Sequence, residues 1–144
     1  MQSQTFRRIA FTAFVFTAGA LAGRMFGPDP VARAQANNRV FEIRTYTTNE
    51  GKLDALNARF RDHTMTIFKR HGMENIGYWV PQDTPNTLIY IIAHTSREQA
   101  KKNWAEFSAD PEWVKVRTES EANGKIVTKV ESVFANPTDY SPIK

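Results

Sequence analysis

The hydrophobic residues of this chain change their spacing along the sequence, and the order of those changes constrains the fold more than any single motif. Val40-Phe41-Glu42-Ile43-Arg44-Thr45-Tyr46 alternates and is rich in β-branched and aromatic residues, which is the pattern of a strand. Phe41, Ile43 and Thr45 share one face of it; Glu42, Arg44 and Tyr46 share the other. After a turn at 47–51 the spacing becomes three and four, through Leu53, Leu56, Phe60, His63 and Ile67, and predicts a helix from about Lys52 to Arg70. Gly72 stands where such a helix ends, just after Lys69, Arg70 and His71. A second strand is expected over Glu74–Val80, stopped by Pro81, and PQDTPN at 81–86 is turn chemistry. TLIYIIAH at 87–94 is almost continuously apolar and reads as a central strand covered on both faces. Ser96-Arg97-Glu98-Gln99 has the S-x-x-Q form of a capping box, opening a helix to about Ala109. Asp110-Pro111 suits an N-cap followed by proline at the first position of a third helix, to about Glu121. Ile126–Phe134 supplies the last strand, and a proline-containing tail follows over 136–144.

The order β-α-β-β-α-β predicts an α+β, ferredoxin-like fold with a four-stranded antiparallel sheet. Helices on one side leave the other side of the sheet uncovered, with apolar side chains on it. Face-to-face pairing of two sheets in a symmetric homodimer, a dimeric α/β barrel, is the expected cover. A length of 144 residues suits one such domain.

Residues 1–36 read as a leader and 37–144 as the domain. Arg7-Arg8 precede an apolar run over 9–23, and two small-x-small sites follow, ending at Ala34 and Ala36. A positive start, an apolar centre and an A-x-A end are the parts of a signal peptide, so export to a periplasmic or secreted location is expected. Fifteen apolar residues are short of the roughly 18–20 that a spanning helix needs, which leaves anchoring through 9–23 as the alternative. The leader also explains the basic character. Removing its four arginines and one aspartate from the totals of 19 and 15 leaves 15 basic and 14 acidic residues, a net +1. No long Lys/Arg block remains to track a phosphate backbone, so no nucleic-acid partner is expected. The absence of cysteine excludes disulfides, thiolate chemistry and Cys-ligated metal centres.

The stretch VFEIRTYTTNEGKLDALNARFRDHTMTIFKRHG resembles the start of the NIPSNAP domain, with its Glu-x-Arg-x-Tyr strand, Gly-Lys-Leu helix start and closing His-Gly. IGYWVPQDTPNTLIYIIAH is similar to the family's second hairpin, Asp110-Pro111-Glu112-Trp113 to its Asp-Pro-x-Trp element, and residues 137–142 to its closing tail. The resemblance spans about residues 40–142. It implies the dimeric α/β-barrel fold, a wider group that also holds haem-degrading, antibiotic-biosynthesis and chlorite-dismutase-like proteins. It implies no defined reaction.

The ligand-pocket candidates are His63, Glu42, Arg44, Tyr46, Trp79, Tyr90 and His94. His63 lies at one margin of the apolar helix stripe, which points its imidazole towards the sheet, where it serves either as an acid/base or ligand, or as a bonded core histidine. Arg44 suits a carboxylate, held bidentately; alternatively Glu42 and Arg44 form a charge pair across the sheet or a dimer interface. Of Tyr78 and Trp79, on opposite faces of one strand, one packs inward and the other meets a partner or lines a pocket. His94 ends the central strand and reaches the same region or caps the next turn, while Trp104 and Trp113 read as core anchors. His71, at a helix end, complements the helix dipole. No histidine pair has a metal-binding spacing, and no hydrolase, phosphate-loop or dinucleotide motif is present, so no metal or cofactor is expected. Two functions follow from these residues. One is a non-catalytic or small-ligand-binding homodimer. The other is an oxygenase-like oxidoreductase with haem or a quinone-like substrate between the first helix and the sheet.

Overall fold

The computed structural model describes residues 39–144. The proposed leader, with its apolar run and cleavage sites, lies outside the described residues. Strand β1 spans Val40–Thr48. The helix α1 follows in three joined segments, Leu53–Arg59, a π-helical turn Phe60–Thr64, and Met65–Arg70. Then come β2 (Glu74–Trp79), β3 (Thr87–His94), α2 (Arg97–Ala109), α3 (Pro111–Ser120) and β4 (Val127–Ala135). The sheet order is β2-β3-β1-β4 and every pairing is antiparallel, so β1 and β3 form the centre as the ferredoxin-like pattern requires.

The local signals act as their chemistry dictates. Gly72 adopts φ +70 and lets Met73 N–H reach back to the Phe68 carbonyl at 2.9 Å, ending α1. Asp110 caps α3 through the amides of Glu112 (2.8 Å) and Trp113 (3.3 Å), with Pro111 at the first turn. The capping box of α2 forms only by half. Ser96 Oγ accepts from the Gln99 amide at 3.1 Å, but the Gln99 side chain turns away to Asn103 Oδ1 at 2.7 Å.

Strand register decides which side chains meet the helices. Glu42, Arg44 and Tyr46 pair with Ile92, Tyr90 and Leu88 on β3 and with Phe134, Ser132 and Val130 on β4, and this row faces the helices. Leu56, Phe60, Ile67, Phe68, Leu88, Tyr90, Ile92 and Phe107 close the core against it. The opposite row, with Ile43, Ile91 and Val133, faces away. Part of that side is roofed by the chain itself: the tail lays Pro137, Ser141 and Ile143 over Phe41, Ile43, Ile76 and Ile91. Arg39 anchors the tail by donating to the Lys144 carbonyl at 2.8 Å. The expectation of a wholly bare face is corrected accordingly. Trp79 (51% exposed) on β2 and Val133 (62% exposed) on β4, at the two opposite edges of the sheet, stay open, and β3 is fully buried only on its helix side.

Among the described residues no helix is long and apolar enough to cross a membrane.

Candidate functional site

The charged row of β1 is buried beneath the helices, which the polarity of its residues does not suggest. Glu42 is 1% exposed, and its carboxylate accepts four hydrogen bonds. Arg44 Nη1 and Ser132 Oγ (2.6 Å) reach Oε1; Trp104 Nε1 (2.6 Å) and His94 Nε2 (3.1 Å) reach Oε2. Burial pushes the Glu42 carboxyl upwards, but the bonds from His94, Ser132 and Trp104 and the Arg44 charge outweigh it and hold the group at about 2. A carboxylate so fully occupied has no lone pair left for a substrate proton.

The tautomer of His94 follows from its neighbours. Asn103 Oδ1 is occupied by Gln99, so the Asn103 amide donates to the Gly72 carbonyl at 3.1 Å and to His94 Nδ1 at 3.3 Å. Nδ1 is therefore an acceptor, and the ring carries its proton on Nε2, directed at Glu42. His94 reaches Glu42 and is sealed inside the network.

Arg44 is the network's outlet. Its guanidinium lies 4.1 Å from the Trp104 ring centroid and 5.5 Å from that of Tyr46, and Nη2 makes a long 3.4 Å contact with the Tyr46 hydroxyl. Burial lowers its pKa, but Tyr90, Tyr46 and Glu42 more than reverse this, so Arg44 stays charged. Glu42 and Arg44 thus pair with each other on one strand beneath the helices, rather than across the sheet or on the face a partner would cover.

Beyond Tyr46 the space between helices and sheet opens into a cavity of about 260 Å³. Tyr46, Phe60, Phe68, Phe107 and Trp113 supply aromatic walls, Val130 lies on its β4 side, and Arg59, Arg117, Lys125 and Glu121 supply the charges. Tyr90 lies behind this shell, its ring 5.2 Å from Tyr46 and 5.0 Å from Phe60, and burial raises its phenol well above the ordinary value. Tyr78 stacks on Tyr90 at 5.4 Å, so Tyr78 is the inward member of its pair. Trp79 lies on the open face and folds over Gly77, where an added Cβ would stand 2.5 Å from the indole. A larger hollow of about 490 Å³ by Val40, Ser96, Arg97 and Phe134 lies at the start of α2, apart from these walls.

His63 is placed otherwise than its spacing predicts. It is exposed and lines a groove between α1 and α3 with Ala55, Ala58, Asp62 and Glu119. The cause is the π turn, in which Thr64 Oγ1 donates to the Arg59 carbonyl at 3.1 Å. One extra residue in that turn sets the helical wheel back by about 100°. Thr64, 1% exposed, takes the inward place and His63 rotates out. His71 does more than face a helix dipole, since its Nε2 lies 2.7 Å from Asp110 Oδ2 beside Arg70.

Of the seven candidates, Glu42, Arg44, Tyr46, Tyr90 and His94 come together, Trp79 lies on the other face, and His63 is outside. Trp104, Asn103, Ser132 and Arg59 were missed as site residues. Trp104 carried a signal, because a half-buried indole N–H needs an acceptor. Among the described residues no cluster of three or more His, Cys, Asp or Glu has the arrangement to hold a metal ion.

The NIPSNAP family model matches residues 41–142. The chain belongs to the NIPSNAP family. A NIPSNAP family protein of unknown function from Agrobacterium tumefaciens is 26% identical, with a TM-score of 0.66, over 75% of this chain and 96% of that one. An uncharacterized NIPSNAP-like domain protein from Burkholderia xenovorans is 18% identical, with a TM-score of 0.65, over 74% and 90%. SnoaB, a cofactor-independent oxygenase from Streptomyces nogalater, shares the fold at 17% identity and a TM-score of 0.53, over 73% and 98%. No curated protein matches the sequence. The family and the four-stranded ferredoxin-like fold expected from the residues are both established by these likenesses.

Proposed function

We propose that this NIPSNAP chain is a small-molecule-binding domain that takes a flat, largely apolar ligand between its helices and its sheet. The observation that carries the reading is the aromatic cavity at Tyr46. Its volume, about 260 Å³, lies below the roughly 300–1,000 Å³ typical for drug-sized ligands, which suits one or two fused rings. Binding rather than catalysis is supported by the state of the ionisable groups. Glu42 and His94 are consumed by mutual hydrogen bonds, His63 lies on the outer surface, and no histidine lines the cavity. The reading of a haem or quinone site ligated by His63 loses its ligand for the same reason.

The test is calorimetric titration of the full chain with 2-naphthamide, a neutral bicycle. Saturable binding in the native chain and its loss in Val130→Trp, which fills the mouth of the cavity, is the expected result. No binding of either 2-naphthamide or 2-naphthoate to the native chain, or equal binding in both proteins, overturns the reading. Oxygen uptake on adding the probe would replace it with cofactor-free oxygenation, the activity of the Streptomyces nogalater relative in fold.

The same proposal includes pairing of two copies through the side of the sheet away from the helices, supported by Trp79 and Val133, which stay exposed on its two edge strands. The pattern of residues 1–36 supports export as its setting. Light scattering at twice the chain mass, reduced to the single mass by Val133→Lys, is expected for the pairing; a native monomer at micromolar concentration refutes it.

A further inference from the structure

Arg59 is an unusual cation. Its side chain is 5% exposed, yet only one edge of its guanidinium is used. Nη1 donates to Ser120 Oγ and to Glu121 Oε1, both at 3.2 Å. Nε is buried without an acceptor, and among the described residues Nη2 makes no hydrogen bond. The Nε–Nη2 edge of a guanidinium is the fork that matches the two oxygens of a carboxylate. A buried donor left unmatched is destabilising, so a persistent one calls for a reason.

The surroundings supply one. Arg59 lines the aromatic cavity, and its guanidinium carbon lies 5.4 Å from the centroid of Trp113, one of the cavity walls. Among the described residues the other buried side-chain polar atoms without partners, Arg44 Nε and the Tyr90 hydroxyl, belong to residues that flank the same Tyr46 wall. The charges around the cavity are Arg59, Arg117 and Lys125 against Glu121, and Glu121 is already paired with Arg59. Apolar walls with a cationic excess and a free arginine fork fit one chemical class better than any neutral ring.

Resting on the binding reading above, we infer that the ligand is a planar aromatic carboxylate, its ring system among Phe60, Phe107 and Trp113 and its two oxygens on the Nε–Nη2 edge of Arg59. The bound carboxylate satisfies the buried donor and leaves the Glu121 and Ser120 contacts in place. Arg117 and Lys125, both exposed, raise the local anion concentration without fixing the ligand.

The test compares 2-naphthoate with its neutral isostere 2-naphthamide, by calorimetry on the full chain at low salt and at 0.3 M salt. The expected result is a preference of about tenfold or more for the carboxylate, as for a charge-assisted hydrogen-bonded pair. The preference persists at high salt, because the pair is buried, and collapses in Arg59→Met while amide binding survives. Arg59→Lys keeps the charge but not the fork, and supports the inference by retaining only part of the preference; it replaces the Met variant if near-ultraviolet circular dichroism shows that one to be misfolded. Equal affinity for the two probes overturns the carboxylate inference and leaves the binding reading standing. A preference lost at high salt, or unchanged in both Arg59 variants, assigns the anion to the exposed residues and overturns it as well. Failure of both probes overturns the binding reading itself.

Discussion

Replacing Glu42 by glutamine tests the buried network most severely, because the change keeps the shape and alters only the donors and acceptors. Each carboxylate oxygen accepts two bonds, from Arg44 and Ser132 on one side and from Trp104 and His94 on the other. Whichever oxygen becomes an NH₂ group then faces two donors. Whichever way the amide turns, Arg44, a cation with 15% side-chain exposure, loses its one anionic partner among the described residues; if the NH₂ faces Trp104 and His94, His94 is also held in place by Asn103 and cannot turn away. Breaking one member of a buried pair costs about 3–5 kcal/mol, a large share of the roughly 5–15 kcal/mol that holds a domain of this size. Urea unfolding followed by tryptophan fluorescence reads this as a midpoint lowered by more than about 1 M, at an m of about 1–3 kcal/mol/M. The double variant Glu42→Gln/Arg44→Met removes the stranded charge as well and is expected to be more stable than the single one. A single variant costing less than about 1 kcal/mol, or a double variant that is worse, refutes the account. The pH dependence gives an independent check. Glu42 is held at about 2 in the folded chain against an ordinary 4.5, a depressed value, so its contribution is complete above about 4.5 and is lost as pH falls towards 2. That difference corresponds to roughly 3 kcal/mol, the same order as the mutational figure. The acid-side slope is expected to flatten in Glu42→Gln.

Two further substitutions probe placements that run against the sequence pattern. His63→Ala is expected to change stability by no more than about 0.5 kcal/mol in urea unfolding and to leave 2-naphthamide binding intact, since the side chain is exposed outside the core; a loss of about 2 kcal/mol would return His63 to the interior. Gly77→Ala forces the Trp79 indole off the strand, because an added Cβ stands 2.5 Å from it, and red-shifted tryptophan emission with a cost of about 1 kcal/mol is expected. Unchanged emission would mean that Trp79 does not lie over Gly77.

Local chemistry was legible and long-range chemistry was not. The alternation at Val40–Tyr46 put Glu42, Arg44 and Tyr46 on one face correctly, and Gly72 and Asp110 marked helix boundaries that the structure keeps. Those signals act within four or five residues. The side on which the charged row lies depends on Trp104, Ser132 and His94, which arrive from 52 to 90 residues away, and no local pattern foretells that four donors will converge on one carboxylate. His63 failed for a narrower reason. Helical spacing assumes 3.6 residues per turn throughout, and a single π turn invalidates it from that point onward. Arg59 escaped notice because a basic residue on a helix normally belongs to the solvated side, and its burial depends on Ser120 and Glu121, which arrive from 61 and 62 residues away.

The inversion of polarity in β1 also bears on how the chain is covered. A sheet ordinarily turns its apolar row to its helices and its polar row outward. Here Glu42, Arg44, Ser132 and His94 occupy the helix side, while Phe41, Ile43, Ile91 and Val133 occupy the other. Charges can be held inside because they satisfy one another, but an apolar row outside has no such remedy and needs a cover. The tail provides it over Phe41, Ile43 and Ile91, and stops short of Val133 and Trp79. What remains exposed is therefore the two margins of the face, Val133 on β4 and Trp79 on β2, rather than the whole of it. A second copy would have to meet these margins around the tail, and the aromatic cavity on the helix side would stay clear of that contact. Binding and pairing are then separable properties, so Val133→Lys should abolish the pairing and leave 2-naphthamide affinity unchanged. A parallel loss of both would place the cavity within reach of the partner and contradict the two-sided arrangement.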